Sequence, residues 1–162
     1  MEHNGTNYNQ IDSIDAGDTR MKIIQIVGNS NSGKTTFIKN LIPELKKKGT
    51  VAVIKHLGDH TFKTDEGKDT TVFFDAGADM SVGIDSHKAV IATCKNTLDN
   101  VLGMLFDQGM DFAIIEGFKQ RSFSKIVIGG LTADTCIMTN PSVNEVITSL
   151  NLFENFCKLK KE

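Results

Sequence analysis

The chain lacks a charge excess of either sign: 18 lysines and arginines face 20 aspartates and glutamates, for a formal net charge of -2 and a pI near 6.1. That balance supplies no broad basic field of the kind nucleic acid or an anionic membrane surface requires of a main partner. Cysteine is scarce as well. Cys94, Cys136 and Cys157 stand far apart with no CxxC pair, which argues against a disulfide framework or a zinc motif and reads as reduced core thiols in a cytosolic protein. No apolar run approaches the ~20 residues that span a bilayer, and no hydrophobic signal segment opens the sequence. The expectation is a cytoplasmic protein. Internal repeats are absent too.

What is present fits one domain, since 162 residues can bury a core without disulfides or structural metals. Residues 1–20 are polar and turn-rich and read as a flexible tail; residues 21–162 read as a single domain, which a product beginning at Met21 would still form. Short apolar runs recur: KIIQIV (22–27), VAVIKH (51–56), DMSVGI (79–84), KAVIATC (88–94), FAIIEG (112–117), KIVIGG (125–130) and TCIMT (135–139). Most are continuous rather than alternating, as in strands buried on both faces. The pattern predicts an α/β fold, an open, mainly parallel sheet flanked by helices.

Between the first two runs, Phe37, Ile38, Leu41, Ile42 and Leu45 share one helical face, Gly49 supplies a stop, and Pro43 predicts a kink or a late break. A second helix is predicted from near Asn96 to near Gly109. A third is predicted over FENFCKLK, where Asn151 and Glu154 have capping-box spacing.

The segment GNSNSGKT matches G-x-x-x-x-G-K-[ST] in full and lies between a predicted strand and a predicted helix. Gly28 and Gly33 permit backbone angles that a Cβ resists. The N–H groups of Asn29, Ser30, Asn31, Ser32 and the helix start at Thr36 can then point at phosphate oxygens, aided by the helix dipole. Lys34 can reach the terminal phosphates, and the Thr35 hydroxyl can ligate Mg²⁺. Such a site needs a second carboxylate for the metal or its waters. Glu116 ends FAIIE at the carboxyl edge of a parallel sheet, where ligands bind, so Lys34 and Glu116 are the catalytic candidates.

His56 ends the second strand at the same edge, beside phosphates or metal, or else as a packing residue. The charged loop 57–70 offers Asp59, Asp65 and Asp69 as metal or water contacts, although solvated charge is the alternative for each. His56, Asp59 and His60 lack the fixed spacing of a helical metal site. Beyond the tail the only arginine is Arg121. A phosphoryl group in transfer usually relies on arginine or lysine clamps, so a small-molecule kinase fits less well than a nucleotide binder with slow hydrolysis. No Asn-Lys-x-Asp follows a late strand to select guanine.

Taken together, GNSNSGKTT, LIPELKKKG, VAVIKH, GKDT, AGA at 76–78, IIEGFK and KIVI resemble the MobB-type molybdopterin-guanine dinucleotide biosynthesis accessory proteins, over about Met21 to Ile128. The resemblance implies a P-loop NTPase-like fold and a homodimer that binds GTP with Mg²⁺ and hydrolyses it weakly. It also implies a role assisting a partner molybdopterin guanylyltransferase that joins GMP to molybdopterin, for molybdenum or tungsten enzymes. The matching positions are Gly28, Ser32, Gly33, Lys34, Thr35 and Thr36 for phosphate and Mg²⁺, with His56, Asp69, Glu116 and Lys119 nearby. The family often shows an aspartate where this chain has Asn140, and polar or basic residues where it has TVFFDAGA. Val72, Phe73 and Phe74 in a row cannot all face one core, which points to cover by a second subunit. A metal-insertion GTPase remains an alternative, but the scattered cysteines and His56/His60 favour it little.

Overall fold

The computed structural model describes residues 20–58 and 69–157. The elements in chain order are β1 (Met21–Val27), α1 (Lys34–Lys46), β2 (Val51–Lys55), α2 (Asp69–Asp75), β3 (Met80–Ile84) and β4 (Ala89–Thr93). Then come α3 (Leu98–Asp107), β5 (Phe112–Glu116), β6 (Lys125–Val127), β7 (Cys136–Thr139), α4 (Val143–Thr148) and β8 (Asn155–Phe156). The main sheet has the order β2-β5-β1-β6-β7, all parallel, and β8 pairs antiparallel with the start of β1.

Alternate residues of β1 leave opposite faces of the sheet, and both faces are covered. On one face Ile24, Ile26, Ile114 and Ile126 meet Ile38, Leu41 and Leu45 of α1 and Val146 of α4. On the other, Met21, Ile23, Ala113 and Ile115 meet Leu98 and Leu102 of α3. Two-sided burial is why these strands read as continuous apolar runs. Each fully buried Leu or Ile contributes roughly 1.5–3 kcal/mol relative to exposure.

The helix ends follow local chemistry. Thr97 caps α3 by accepting from the Asn100 N–H. At α4, Ser142 and Glu145 form a reciprocal capping box. α1 continues past Pro43 to Lys46, because Pro43 lies on its exposed side, where the carbonyl it leaves unpaired can be hydrated.

Three expectations are corrected. The runs 79–84 and 88–94 do not join the parallel sheet; β3 and β4 form a separate antiparallel hairpin. The FENFCKLK helix is not formed over its described part, where a short 3-10 turn at Leu150–Leu152 leads into β8. Phe153 is buried in the α1-side core while Phe156 packs on the α3 side. A helix would turn residues three apart to one face, whereas extended chain sends them to opposite faces. Glu154 then caps nothing; its carboxylate accepts from the Ser124 N–H and hydroxyl. Finally, Cys94, Cys136 and Cys157 are free but exposed, not core thiols. Residues 1–19, with the expected tail, and Asp59, His60 and Asp65 lie outside the described residues.

Candidate functional site

The turn between β1 and α1 is shaped by steric and conformational demands at two glycines. A Cβ at Gly28 would lie 2.3 Å from the Ile128 carbonyl oxygen and 2.6 Å from Ser32 Oγ, so only glycine fits there. Gly33 has open space around it but adopts φ 96, and Asn31 adopts φ 59, the left-handed region that turns successive peptide groups inward. Gly33 begins α1 without a side-chain cap, and the first turn carries no acidic residue. The helix N-terminus therefore keeps its N–H donors and its partial positive charge for an anion.

Lys34 folds back over this turn, its Nζ donating to the carbonyls of Gly28 at 3.2 Å and Asn29 at 2.6 Å. Ser32 Oγ is buried with no hydrogen-bond partner. Across a cleft of about 1210 Å³ stand the ends of β2 and β5, so that Ser30 through Thr36, His56, Glu116 and Lys119 all line one space with Gly28. The structure thus brings together most of the residues singled out from the sequence. Asn29 enters through its carbonyl. Asp69 opens α2, at a distance in sequence that the described residues do not bridge.

Parallel pairing sets Lys55 of β2 directly beside Glu116 of β5, and Lys55 Nζ lies 3.6 Å from the Glu116 carboxylate. Sequence reasoning passed over Lys55, although its place next to His56 at a strand end was a usable signal. It also missed Gln25, a polar residue inside an apolar strand. Gln25 is fully buried, and its Nε2 donates at 2.8 Å to the carbonyls of both Gly117 and Phe118. Those two residues have φ 93 and 51, and the turn they make stacks Phe118 on His56 with ring centroids 4.3 Å apart.

Arg121 does not line the cleft. Its guanidinium is bound at 3.0 and 2.6 Å to both Asp99 carboxylate oxygens. Asn140, with φ 48, exchanges both side-chain hydrogen bonds with the Gly129 peptide: Oδ1 accepts from its N–H at 2.6 Å, and Nδ2 donates to its carbonyl at 3.2 Å.

The donor set suits a magnesium ion. Mg²⁺ takes one or two protein oxygens and completes its shell with water and substrate phosphates. The Thr35 hydroxyl and the Glu116 carboxylate supply such oxygens within one cleft, and no group of three or more metal-binding side chains occurs among the described residues.

The profile of the family described as Molybdopterin guanine dinucleotide synthesis protein B, MobB, matches residues 23–149. The chain belongs to the MobB family. It is 39% identical over 100 residues to a Methanocaldococcus jannaschii protein named with the molybdopterin-guanine dinucleotide biosynthesis adapter proteins, covering 62% of this chain and 42% of that one. It is 34% identical over 116 residues to the Haemophilus influenzae adapter protein of that name, covering 68% and 65%. The chain therefore spans less than two thirds of the length of these relatives. The crystal structure of Bacillus subtilis MobB superposes with a TM-score of 0.59 at 25% identity, over 74% of this chain and 77% of that one. The mainly parallel sheet with flanking helices is thus the P-loop NTPase-like fold of MobB.

Proposed function

We propose that this MobB-family chain is an adapter in molybdopterin-guanine dinucleotide biosynthesis that binds GTP with Mg²⁺, hydrolyses it slowly at most, and assists a partner guanylyltransferase in joining GMP to molybdopterin. The observation that carries the reading is the glycine turn with Lys34 at an uncapped helix N-terminus, facing Glu116 across one cleft. On this reading the triphosphate takes the Lys34 ammonium from the turn carbonyls, the Ser32 hydroxyl gains a partner, and Thr35 and Glu116 hold the magnesium ion or its waters. The metal adds charge neutralisation at the terminal phosphates. Guanine is preferred on family grounds. Arg121 is committed to Asp99 and no arginine lines the cleft among the described residues, which speaks against the kinase alternative.

A homodimer completes the proposal. In the hairpin register Val82 faces Ile91 and Ile84 faces Ala89, which puts these residues on one face of the ribbon. Val82, Ile84 and Ile91 are exposed, as are Val72 and Phe73 of α2, with Phe73 59% exposed. Exposed apolar side chains on both the ribbon and α2 are of the kind that mark an interaction site. The cytoplasm is the proposed location; no helix among the described residues is long and apolar enough to cross a membrane.

Thermal shift with Mg²⁺ plus GTP or ATP tests the nucleotide, since a ligand at ~100 times its Kd stabilises by roughly 2.7 kcal/mol. A larger shift with ATP overturns the guanine assignment. Lys34→Ala is expected to weaken triphosphate binding by about 1.5–3 kcal/mol, the scale of a charge-assisted hydrogen bond; unchanged affinity removes Lys34 from the site.

A further inference from the structure

The glycine turn between β1 and α1 rests on a single peptide, the one joining Ile128 to Gly129. Ladder bonds bring it there: the Ile128 N–H donates to the Val27 carbonyl at 2.9 Å, and the Asn140 N–H donates to the Val127 carbonyl at 2.8 Å. In a trans peptide such as this one the carbonyl and the N–H point in opposite directions. The Ile128 carbonyl lies against the turn, so close that a Cβ at Gly28 would stand 2.3 Å from its oxygen. The N–H of the same peptide points away and donates at 2.6 Å to Asn140 Oδ1. The following carbonyl, that of Gly129, accepts from Asn140 Nδ2 at 3.2 Å. One side-chain amide holds both groups.

Gly129 itself also abuts the turn. A Cβ there would lie 3.0 Å from Ser32 Cβ, and Ser32 carries the buried hydroxyl that is left without a hydrogen-bond partner. Asn140 is exposed and is not among the residues lining the cleft, so its effect on the site passes through this peptide. We propose that Asn140 is a positioning residue for phosphate: by fixing the Ile128–Gly129 peptide it sets where Gly28 and Ser32 stand, and so how well the turn receives a triphosphate. The assignment rests on the nucleotide reading above and adds to it a residue that touches no ligand. An amide is needed because one side chain must accept and donate at once, which an ionised carboxylate of the same shape cannot do.

The test measures by calorimetry the binding of magnesium GTP, and of magnesium tripolyphosphate as phosphates without a base, to the full chain and to Asn140→Gly and Asn140→Asp. Glycine accepts the left-handed backbone at this position, φ 48, and removes both bonds without adding charge. It should weaken both ligands about fivefold, the scale of one neutral hydrogen bond. Aspartate at pH 7 sets an oxygen against the Gly129 carbonyl and should weaken both as well. Its protonated form donates there as the amide does, and the facing carbonyl raises its pKa above the ordinary ~3.9. Affinity of Asn140→Asp, relative to the wild type at matched pH, should therefore climb back as pH falls from 7 to about 5. A substitution that only loosens the fold shows no such recovery, and urea unfolding reports the stability of each variant separately. Unchanged affinity in Asn140→Gly overturns the proposal; should that variant fail to fold, the pH profile of Asn140→Asp decides, and a flat one overturns it. Weakening of GTP with tripolyphosphate unaffected makes Asn140 a base contact and overturns it too, as does weakening by aspartate but not by glycine, which assigns the effect to charge. A wild-type chain that binds neither ligand sinks the nucleotide reading and this assignment with it, whereas wild-type binding that ignores both substitutions sinks this assignment alone.

Discussion

Replacing Gln25 tests how the site turn is held. Its Nε2 makes two 2.8 Å hydrogen bonds to consecutive carbonyls, while its Oε1 is buried without a donor. Gln25→Met keeps the length and removes both donors, forfeiting about 0.5–1.5 kcal/mol for each neutral bond. It also leaves two carbonyls underserved but removes the orphaned oxygen, terms of roughly 1–3 kcal/mol each that oppose one another. The net expectation is a loss of about 1–3 kcal/mol.

Gln25→Glu separates this account from simple packing. It places a carboxylate against two carbonyl oxygens in a fully buried position, so burial and repulsion favour its neutral form and raise its pKa. The loss at pH 7 should then exceed that of the methionine variant by roughly 2 kcal/mol or more. A raised folded-state pKa contributes stability that is present below the unfolded value and lost as pH rises through the folded one. The glutamate variant should therefore recover toward the methionine variant as pH falls from 7 to about 5, above the ~4.3 of an ordinary glutamate. Urea unfolding of both variants at several pH values measures this. Equal stability of the two at pH 7, or a glutamate variant with a flat pH profile, would refute the donor role of Gln25.

Gly28→Ala should lower stability by about 1–3 kcal/mol through overpacking against the Ile128 carbonyl, and should abolish the thermal shift with nucleotide; a full shift would show that the turn tolerates the methyl. Phe73→Asp should convert a dimer to monomer in light scattering, and an intact dimer would remove this apolar face from the contact. The Arg121 guanidinium holds Asp99 below the usual carboxylate range. A lowered folded-state pKa stabilises above the unfolded value, and that contribution is lost as pH falls below about 4. The pair is largely exposed, so its worth is at most ~1 kcal/mol. Asp99→Asn should slightly lower the melting temperature near neutrality and leave it unaffected at the acid end. An equal drop at both pH values would refute the ion pair as the cause.

Much of the architecture was legible because each local signal agreed with the fold. The β1–α1 turn, the apolar face of α1 and the two-sided burial of β1 and β5 all follow from short-range pattern. The FENFCKLK segment misled because capping-box spacing and apolar periodicity do not reveal that Phe153 and Phe156 serve opposite faces of the sheet. The β3 and β4 runs resemble buried strands by composition, yet much of their surface is exposed, a difference that becomes visible only when the rest of the sheet is assembled.

From the sequence alone came the glycine turn between β1 and α1, the candidacy of Lys34 and of a carboxylate at a strand end, and the sheet class, since these depend on backbone conformation and side-chain period within a few residues. Tertiary structure alone decided that Lys55 sits beside Glu116, that Gln25 holds the carbonyls of Gly117 and Phe118, and that Phe118 lies against His56. The physical reason is strand order: β5 lies between β2 and β1, so residues 61 and 92 positions apart in sequence become neighbours, and no local pattern records which strands will pair.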